Sequence, residues 1–554
     1  MVPKLFFSQS SDALVGRLIE EISTPDPMET RTLLVPNGEM RQWLLLEIAK
    51  RTGIAMGLKV ITIEQFFCPV GRSLDLFCLI YSALKVAQES ELISYLDGKK
   101  KRLIDLSGQL SAFFVRYSQY EPLLVAENSW QYNLFRKLCV PQNIQIDEPM
   151  ICFGVDFLPP CYWQALSQAP SLSMYLFSPC VEFWEDLCTD RERIKWKKGS
   201  KEWDGYLRAG PRNLANWGKL GRKTLSLFDV VESEELYLSF EPTTLLKRIQ
   251  YDLLTFQETR NPKIDNSVQV HLTGSSRLRE VEALKQEILR LDVPYHDISV
   301  LAPDIEPYIP LIEYVFGGEI PYRIAQFDIA PQSAFRQGLM RLLALGSSRW
   351  DAEEILTLFE TPSFYRKQGW DADALNTFRT WVSSVRVHWG VDATHRQNFL
   401  QGILGDKQFV DEGSWEKGLD ALLEQIVFLK PVQIDPDLFE EFLSVLFALK
   451  ELDLKGEKSL WAWSDSLEKA AHLFLQLNSH DEADTAAFAH FRTLLLDMRK
   501  FPAEHLYPFE VVQHFLTRPC ISQIHASKLH AVRIAPITEG ALIPAKALFL
   551  NLLL

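Results

Sequence analysis

No Cys-x-x-Cys pair occurs anywhere in the 554 residues; the eight cysteines (Cys68, Cys78, Cys139, Cys152, Cys161, Cys180, Cys188 and Cys520) are scattered singly. The usual signatures of structural zinc, a thioredoxin-like redox pair and a disulfide scaffold are therefore excluded. No stretch reaches the ~18 uninterrupted apolar residues of a membrane span, and the N-terminus turns polar at Ser8, too early for the apolar core of a signal peptide. No membrane association and a cytoplasmic location are the expectations. An excess of positive charge is also absent: 58 Lys and Arg against 72 Asp and Glu give a formal −14. That rules out a basic coat for duplex DNA and leaves room for a local basic channel only. Internal repeats with a period of roughly 20 to 50 residues are missing.

Missing too is a phosphate-binding loop, in which backbone N–H groups cradle phosphates, a Lys reaches the terminal ones and a Ser or Thr holds magnesium. Neither Gly98-Lys99 nor Gly218-Lys219 has a Gly five residues earlier or a Ser or Thr directly after. The first strand-to-helix turn, where such a loop belongs, reads Ser8-Gln9-Ser10-Ser11-Asp12, with neither Lys nor Gly. This degenerate turn predicts no nucleotide binding and no ATP hydrolysis by this chain.

What is present is the material of several cores. Hydrophobic residues make up 47%, aromatics 12% and charged residues 23%, and about 150 residues per domain predicts roughly three or four domains. Residues 4–7 and 32–35 are short apolar, β-rich runs, and 12–22 between them have helical period, which is α/β grammar. After the turn signal Pro36-Asn37-Gly38, Met40, Trp43, Leu44 and Ile48 repeat at helical spacing. The pattern is helical from 74 to about 138, strand-like at 150–155 and 172–177, and basic and polar at 191–203, which reads as a surface insertion. A second α/β unit is predicted to begin with a strand at Val268, Val270 and Leu272. Gly274-Ser275-Ser276 then leads into a helix through Val281, Leu284 and Ile288, and a strand follows at 298–302. Residues 351–517 read as helical, and 532–554 as strand, loop and strand. A buried strand wants neighbours and a following connection, so the expectation is that these residues are the front part of a longer protein.

Several strings suggest chemistry and have a plainer reading beside them. Asp481-Glu482-Ala483-Asp484 spells a magnesium-binding motif, but it precedes an Ala/Phe helix and reads as an acidic helix N-terminus. Pro436-Asp437 followed by Asp453-Leu454-Lys455 spells a nuclease string, yet on one helix its acids would stand about 24 Å apart and share no metal. His472, His480 and His490 lack the i, i+4 spacing of a zinc helix. Asp156, after the strand at 150–155, is the one acid placed where a motor's magnesium ligand could sit. Trp217 and Trp389, beside Lys219, Arg222, Arg386 and His388, suit either core packing or stacking of an unpaired base with a phosphate contact from the neighbouring cation.

Four segments together resemble the RecC family, the gamma chain of the bacterial exonuclease V (RecBCD) complex. They are Leu34-Val35-Pro36-Asn37-Gly38-Glu39-Met40-Arg41-Gln42-Trp43-Leu44, then Trp217-Gly218-Lys219-Leu220-Gly221-Arg222, then Arg279-Glu280-Val281-Glu282, and Trp381-Val382 with His388-Trp389-Gly390-Val391-Asp392. The resemblance implies an α/β, UvrD-like (superfamily 1) helicase-type fold with two RecA-like domains, large helical insertions and lost motor motifs. The first RecA-like domain would span 1–265 with a helical insertion at about 70–148, the second would begin over 266–348, a helical insertion domain would fill 349–525, and 526–554 would return into the second.

It further implies RecB-like and RecD-like partner subunits in a heterotrimer, contact with single-stranded DNA and duplex ends, and ATP and Mg2+ used by the complex and not by this chain. The DNA-contacting residues would be Arg41, Gln42, Trp43, Trp217, Lys219, Arg222, Arg386 and Trp389, with no catalytic residue and no metal ligand. Gln42 matches the family's channel-facing Gln. Pro36, Gly38, Cys68, Ala112, Phe113 and Val115 depart from its polar channel positions near Tyr117, which puts sequence reading of the Chi kind in doubt. Two rivals from other classes are a stand-alone ATP-driven helicase of UvrD type and a truncated protein-interaction scaffold.

Overall fold

The computed structural model describes residues 3–550 apart from 24–29, 68–69, 87–89, 120–128, 139–145, 183, 186, 190, 193, 195–210, 229–231, 273–275, 326–332, 405–410, 429–433, 502–503, 518–529 and 541. Cys68, Cys139, Cys520, Gly274, Ser275 and most of the basic stretch after 191 lie outside the described residues, as do the side chains of Val115 and Tyr117. The chain divides into two compact units, one of residues 1–327 and 523–554, the other of 328–522.

The first unit holds two parallel sheets. Strands β1 (Lys4–Ser8), β2 (Arg31–Val35), β3 (Leu58–Thr62), β4 (Met150–Phe153), β5 (Leu172–Phe177) and β6 (Glu232–Glu235) lie in the order β3-β2-β4-β5-β1-β6. β4 is buried at every position and β5 at all but the last, as expected for central strands of a parallel sheet covered on both faces. Leu5, Leu34, Cys152 and Met174 fill one face; Phe6, Leu33, Ile151 and Tyr175 fill the other. Helix α1 (Ser11–Ile22) and helix α2 (Gly38–Thr52) cover that second face with Leu14, Val15, Met40, Leu44 and Ile48. α2 starts where the Asn37 side chain accepts the Met40 N–H at 2.8 Å. It stops at Gly53, whose φ of +83° is open to glycine at little strain.

The second sheet comprises β7 (Ile298–Ala302), β8 (Tyr322–Ile324), β9 (Val532–Pro536) and β10 (Ala547–Leu550), parallel throughout in the order β10-β7-β9-β8. The helix Arg277–Arg290 lays Val281, Leu284 and Ile288 on it, in register with the apolar period of the sequence. The expected strand at Val268 does not form. Residues 268–272 are coil, with Val270 85% and Leu272 96% exposed. Alternation fits a strand only where one face is covered, and Val270 and Leu272 have no cover in this unit.

The second unit is helical apart from a short antiparallel pair, Glu457–Ser459 with Leu506–Pro508. Aromatics build its core: Phe378 lies 4.7 Å from Trp370 and 4.8 Å from Phe442 between ring centroids, and Trp381 is 5.7 Å from Phe439. Asp481 caps the helix Glu482–Arg499, and Asp484 is buried, accepting from Ser333 Oγ at 2.7 Å and the Phe335 N–H at 2.9 Å. Asp435 caps the helix Pro436–Lys450, and Asp453 lies beyond its end, paired with Lys458 at 2.8 Å. Both acidic strings thus have structural partners. Among the described residues no helix is long and apolar enough to cross a membrane, and no group of His, Cys, Asp and Glu is placed to hold a metal.

Candidate nucleic-acid interface

The turn after β1 is closed by its own side chains. Ser8, fully buried, donates its hydroxyl to the Leu236 carbonyl at 2.8 Å and accepts the Ser10 N–H at 3.0 Å. Gln9 donates to the Leu238 carbonyl and accepts the Leu238 N–H at 3.1 Å, so its amide mimics a strand partner. Ser10 caps α1 by accepting from Ala13, Asp12 pairs with Arg51, and Ser11 opens the helix. A phosphate cradle presents free N–H groups around an open loop. Here only Gln9 and Ser10 separate strand from helix, and both side chains and the Ser10 N–H are engaged with the chain itself.

At the carboxyl end of β2 the same unit builds a buried charge network. Glu39, on the first turn of α2, is fully buried, and its Oε2 lies 3.2 Å from Arg323 Nη2 on β8. Arg323 also donates to the Gln42 side-chain carbonyl. Asn37 donates to the Glu539 carbonyl at 3.1 Å, in the turn after β9. On β9, buried Arg533 donates to Ser299 Oγ. Burial pushes the Glu39 carboxyl above its ordinary value against the pull of Arg323 and Arg533, and pushes Arg533 down to about 10. Glu539 is pushed up to about 7 by burial and by the carboxylates of Glu64, Glu39 and Asp156. Glu39 Oε1, Arg533 Nε and Glu539 Oε2 have no hydrogen-bond partner among the described residues, an arrangement that stores unfavourable free energy inside the unit.

Of the three consecutive residues expected to face DNA on α2, Gln42 therefore contacts Arg323, and Trp43 is half-buried with its ring 6.3 Å from Phe153. Arg41 is half-buried and donates its N–H to the Asn37 carbonyl.

The second group lies on a helical knuckle, Arg212–Trp217 followed by Lys219–Leu225. Its glycines are packing devices: a Cβ on Gly218 or Gly221 would come within 2.6 or 2.8 Å of the buried Trp184 ring. Arg222 is 7% exposed, donates to the Leu187 carbonyl and lies 3.6 Å from Glu192. Hydrogen bonds from Thr189, then the Arg222 charge, hold the Glu192 carboxyl below its usual range. What packing leaves outside is Trp217, 83% exposed, and Lys219, also exposed. An indole that water covers on both faces has no part in the core.

In the second unit, Trp389 is half-buried between two guanidinium groups, Arg396 at 4.9 Å and Arg349 at 5.8 Å from its ring centroid. Arg396 is itself buried, donating to the Trp389 carbonyl at 2.7 Å and to the Glu412 carbonyl at 2.9 Å. Gly390 leaves it room, since a Cβ there would stand 2.7 Å from the Arg396 chain. Arg386 is exposed with a left-handed φ of +56°. Sequence reasoning missed Arg349 and Arg396, and equally Glu39, Arg323, Arg533 and Glu539. Gly390 followed by a capping Asp392 was the one local hint of a tight turn over Arg396.

The comparisons with known proteins agree along the chain. Residues 4–256 match the family described as RecC, N-terminal domain, and residues 332–520 match the RecBCD enzyme subunit RecC fourth domain. The RecBCD enzyme subunit RecC of Escherichia coli is 25% identical over 528 residues, covering 74% of this chain and 46% of that one. The same subunit of Haemophilus influenzae is 22% identical over 544 residues (73% and 48%), and that of Mycolicibacterium smegmatis 23% over 508 (76% and 45%). The chain spans about half the length of these relatives.

Proposed function

The chain belongs to the RecC family, and from that premise we propose that it serves as a non-motor subunit of a RecBCD-type helicase and nuclease complex. Its two parallel sheets are the RecA-like halves of a UvrD-type fold whose motor motifs have been lost. The complex processes double-strand DNA ends for recombinational repair, in the cytoplasm, with ATP, Mg2+ and strand cleavage handled by RecB-like and RecD-like partners. This chain holds those partners and conducts single-stranded DNA past Arg41, Gln42, Trp43, Trp217, Lys219, Arg222, Arg386 and Trp389.

The observation that carries the non-motor reading is the turn after β1, whose hydroxyls and amide bond to Leu236, Leu238 and the head of α1 in place of a phosphate. Trp217 and Lys219 are the best supported DNA contacts, because the rest of their motif is accounted for by packing on Trp184 and by the Glu192 pair. Within the same list Arg222 and Gln42 act by fixing neighbouring structure, since their polar groups are engaged inside the unit.

The reading is tested by expressing the chain with the RecB-like and RecD-like chains of its own source. A heterotrimer whose DNA-dependent ATPase requires the partners' motor residues is the expected result. Saturable, magnesium-dependent ATP binding by this chain alone, lost on Asp156→Ala, would overturn it in favour of the helicase reading.

A further inference from the structure

The connection from β9 to β10 joins the two sheets of the first unit. Its helical turn Ile537–Gly540 starts on the second sheet, where Ile537 packs with Leu301, Ala325 and Ala535. Gly540 permits that close approach, since a Cβ there would stand 2.5 Å from Leu301 Cδ2. Further along, Ile543 is 5% exposed and belongs to the core that α1 and α2 close over the first sheet. Between these two anchors lies Glu539. Its carbonyl accepts from the Asn37 side chain at 3.1 Å, and its Oε2 is buried without a hydrogen-bond partner among the described residues.

Asn37 stands just past the carboxyl end of β2. There the chain after β2 turns to one face of the sheet as α2, and the chain after the neighbouring β4 turns to the other with Leu158, Tyr162 and Leu166. Parallel sheets open a crevice at such a parting, where ligands ordinarily bind. Here Glu539 is brought to it, and the charged groups that bear on Glu539 are all acids: Glu64 after β3, Glu39 on α2 and Asp156 after β4. The cations of the junction are engaged elsewhere. Arg323 holds Glu39 and Gln42, and Arg533 donates to Ser299 Oγ and, at 3.3 Å, to the Ile543 carbonyl.

We propose that Glu539 is a proton-operated bolt between the two sheets: while its carboxyl is neutral the connection sits in the crevice, and when it ionises the connection leaves and the sheets part there. A carboxylate buried among like charges without a donor costs far more than the neutral acid. Burial first, then the three acids, push this carboxyl from its ordinary 4.5 up to about 7. Between those two values the open state releases the proton while the bolted state keeps it. Opening is therefore favoured as pH rises, by about tenfold from about pH 6 to about pH 8. Glu39 is also raised by burial, but Arg323 and Arg533 pull against it, so its ionised form has cations to receive it. Parting the sheets takes Arg323 away from both Glu39 and Gln42. The inference does not rest on the RecC reading; it needs only these side chains.

The test is hydrogen exchange of the full chain between about pH 6 and about pH 8, read in peptides covering 34–44 and 534–546 and corrected for the intrinsic exchange rate at each pH. Protection in both peptides is expected to fall about tenfold in the parent as pH rises. In Glu539→Gln, which keeps the shape and cannot ionise, it should stay level within about twofold. Asp156→Asn, at an exposed position, removes one of the facing charges and should shrink the fall. Strand β4 is expected to keep its protection throughout, which separates a local parting from unfolding of the unit. No fall in the parent, a fall of the same size in Glu539→Gln, or an equal loss of protection in β4 overturns the inference.

Discussion

Arg323 on β8 places Nη2 3.2 Å from the carboxylate of Glu39 on α2, so a residue of the second parallel sheet neutralises a fully buried acid beside the first. Removing one partner of such a pair leaves an uncompensated charge and costs about 3–5 kcal/mol, whereas replacing both with apolar groups is often neutral. Arg323→Met is expected to lower the unfolding free energy of the first unit by that amount. Glu39→Leu combined with Arg323→Met should recover most of the loss. Urea denaturation of the three proteins decides it; a double variant as weak as the single one would show that the pair does not act as a unit.

Glu539 makes stability depend on pH. Its carboxyl, pushed up to about 7 in the folded chain from an ordinary 4.5, holds a proton that the unfolded chain releases. The contribution is fully present below the unfolded value and is lost as pH rises through about 7. Glu39, shifted the same way, adds to the trend. Thermal unfolding of Glu539→Gln between about pH 5 and pH 8 is expected to show a flatter profile and a higher Tm at the alkaline end. A slope identical to that of the parent would count against the burial argument.

The Trp217 knuckle separates binding from folding. Stacking on an exposed aromatic is worth about 1–3 kcal/mol per base, so Trp217→Ala should weaken single-strand binding roughly five- to a hundredfold without changing Tm. Lys219→Ala should reduce its salt dependence. Arg222→Ala and Gly221→Ala are expected to lower stability instead, the latter by about 1–3 kcal/mol, because the added Cβ meets Trp184 at 2.8 Å. Fluorescence titration of a single strand at two salt concentrations, run beside thermal melts, checks all four.

Much of this was legible beforehand, and the reasons differ by element. β1, β2, β5 and β7 fell within a residue or so of their apolar runs, because central parallel strands carry continuous hydrophobic stretches. β3, β6 and β8 did not stand out: Glu232–Glu235 has no apolar residue except through its neighbours, and Tyr322–Ile324 is only three residues long. The turn at Ser8 to Asp12 was readable as lacking a phosphate cradle, but its closure by Leu236 and Leu238 was not, since those contacts span more than 220 residues. For the same reason the Arg323 partner of Gln42, 281 positions away, could not be read from the motif around Gln42. Local motifs show which residues a turn requires; they are silent about charges brought together by topology.

The order of the second sheet has a consequence for how the protein is made. β9 lies between β7 and β8, yet it begins at Val532, 208 residues after β8 ends at Ile324. At the ~5–20 residues per second of synthesis, the two strands that flank β9 wait roughly 10 to 40 seconds on the ribosome for the strand that joins them. During that interval the edges of β7 and β8 that pair with β9 stay open, while the whole helical unit emerges and can fold. Slowed elongation within 328–522, or a scarcity of holding chaperones, would therefore deplete the first unit selectively, although every codon affected encodes the second.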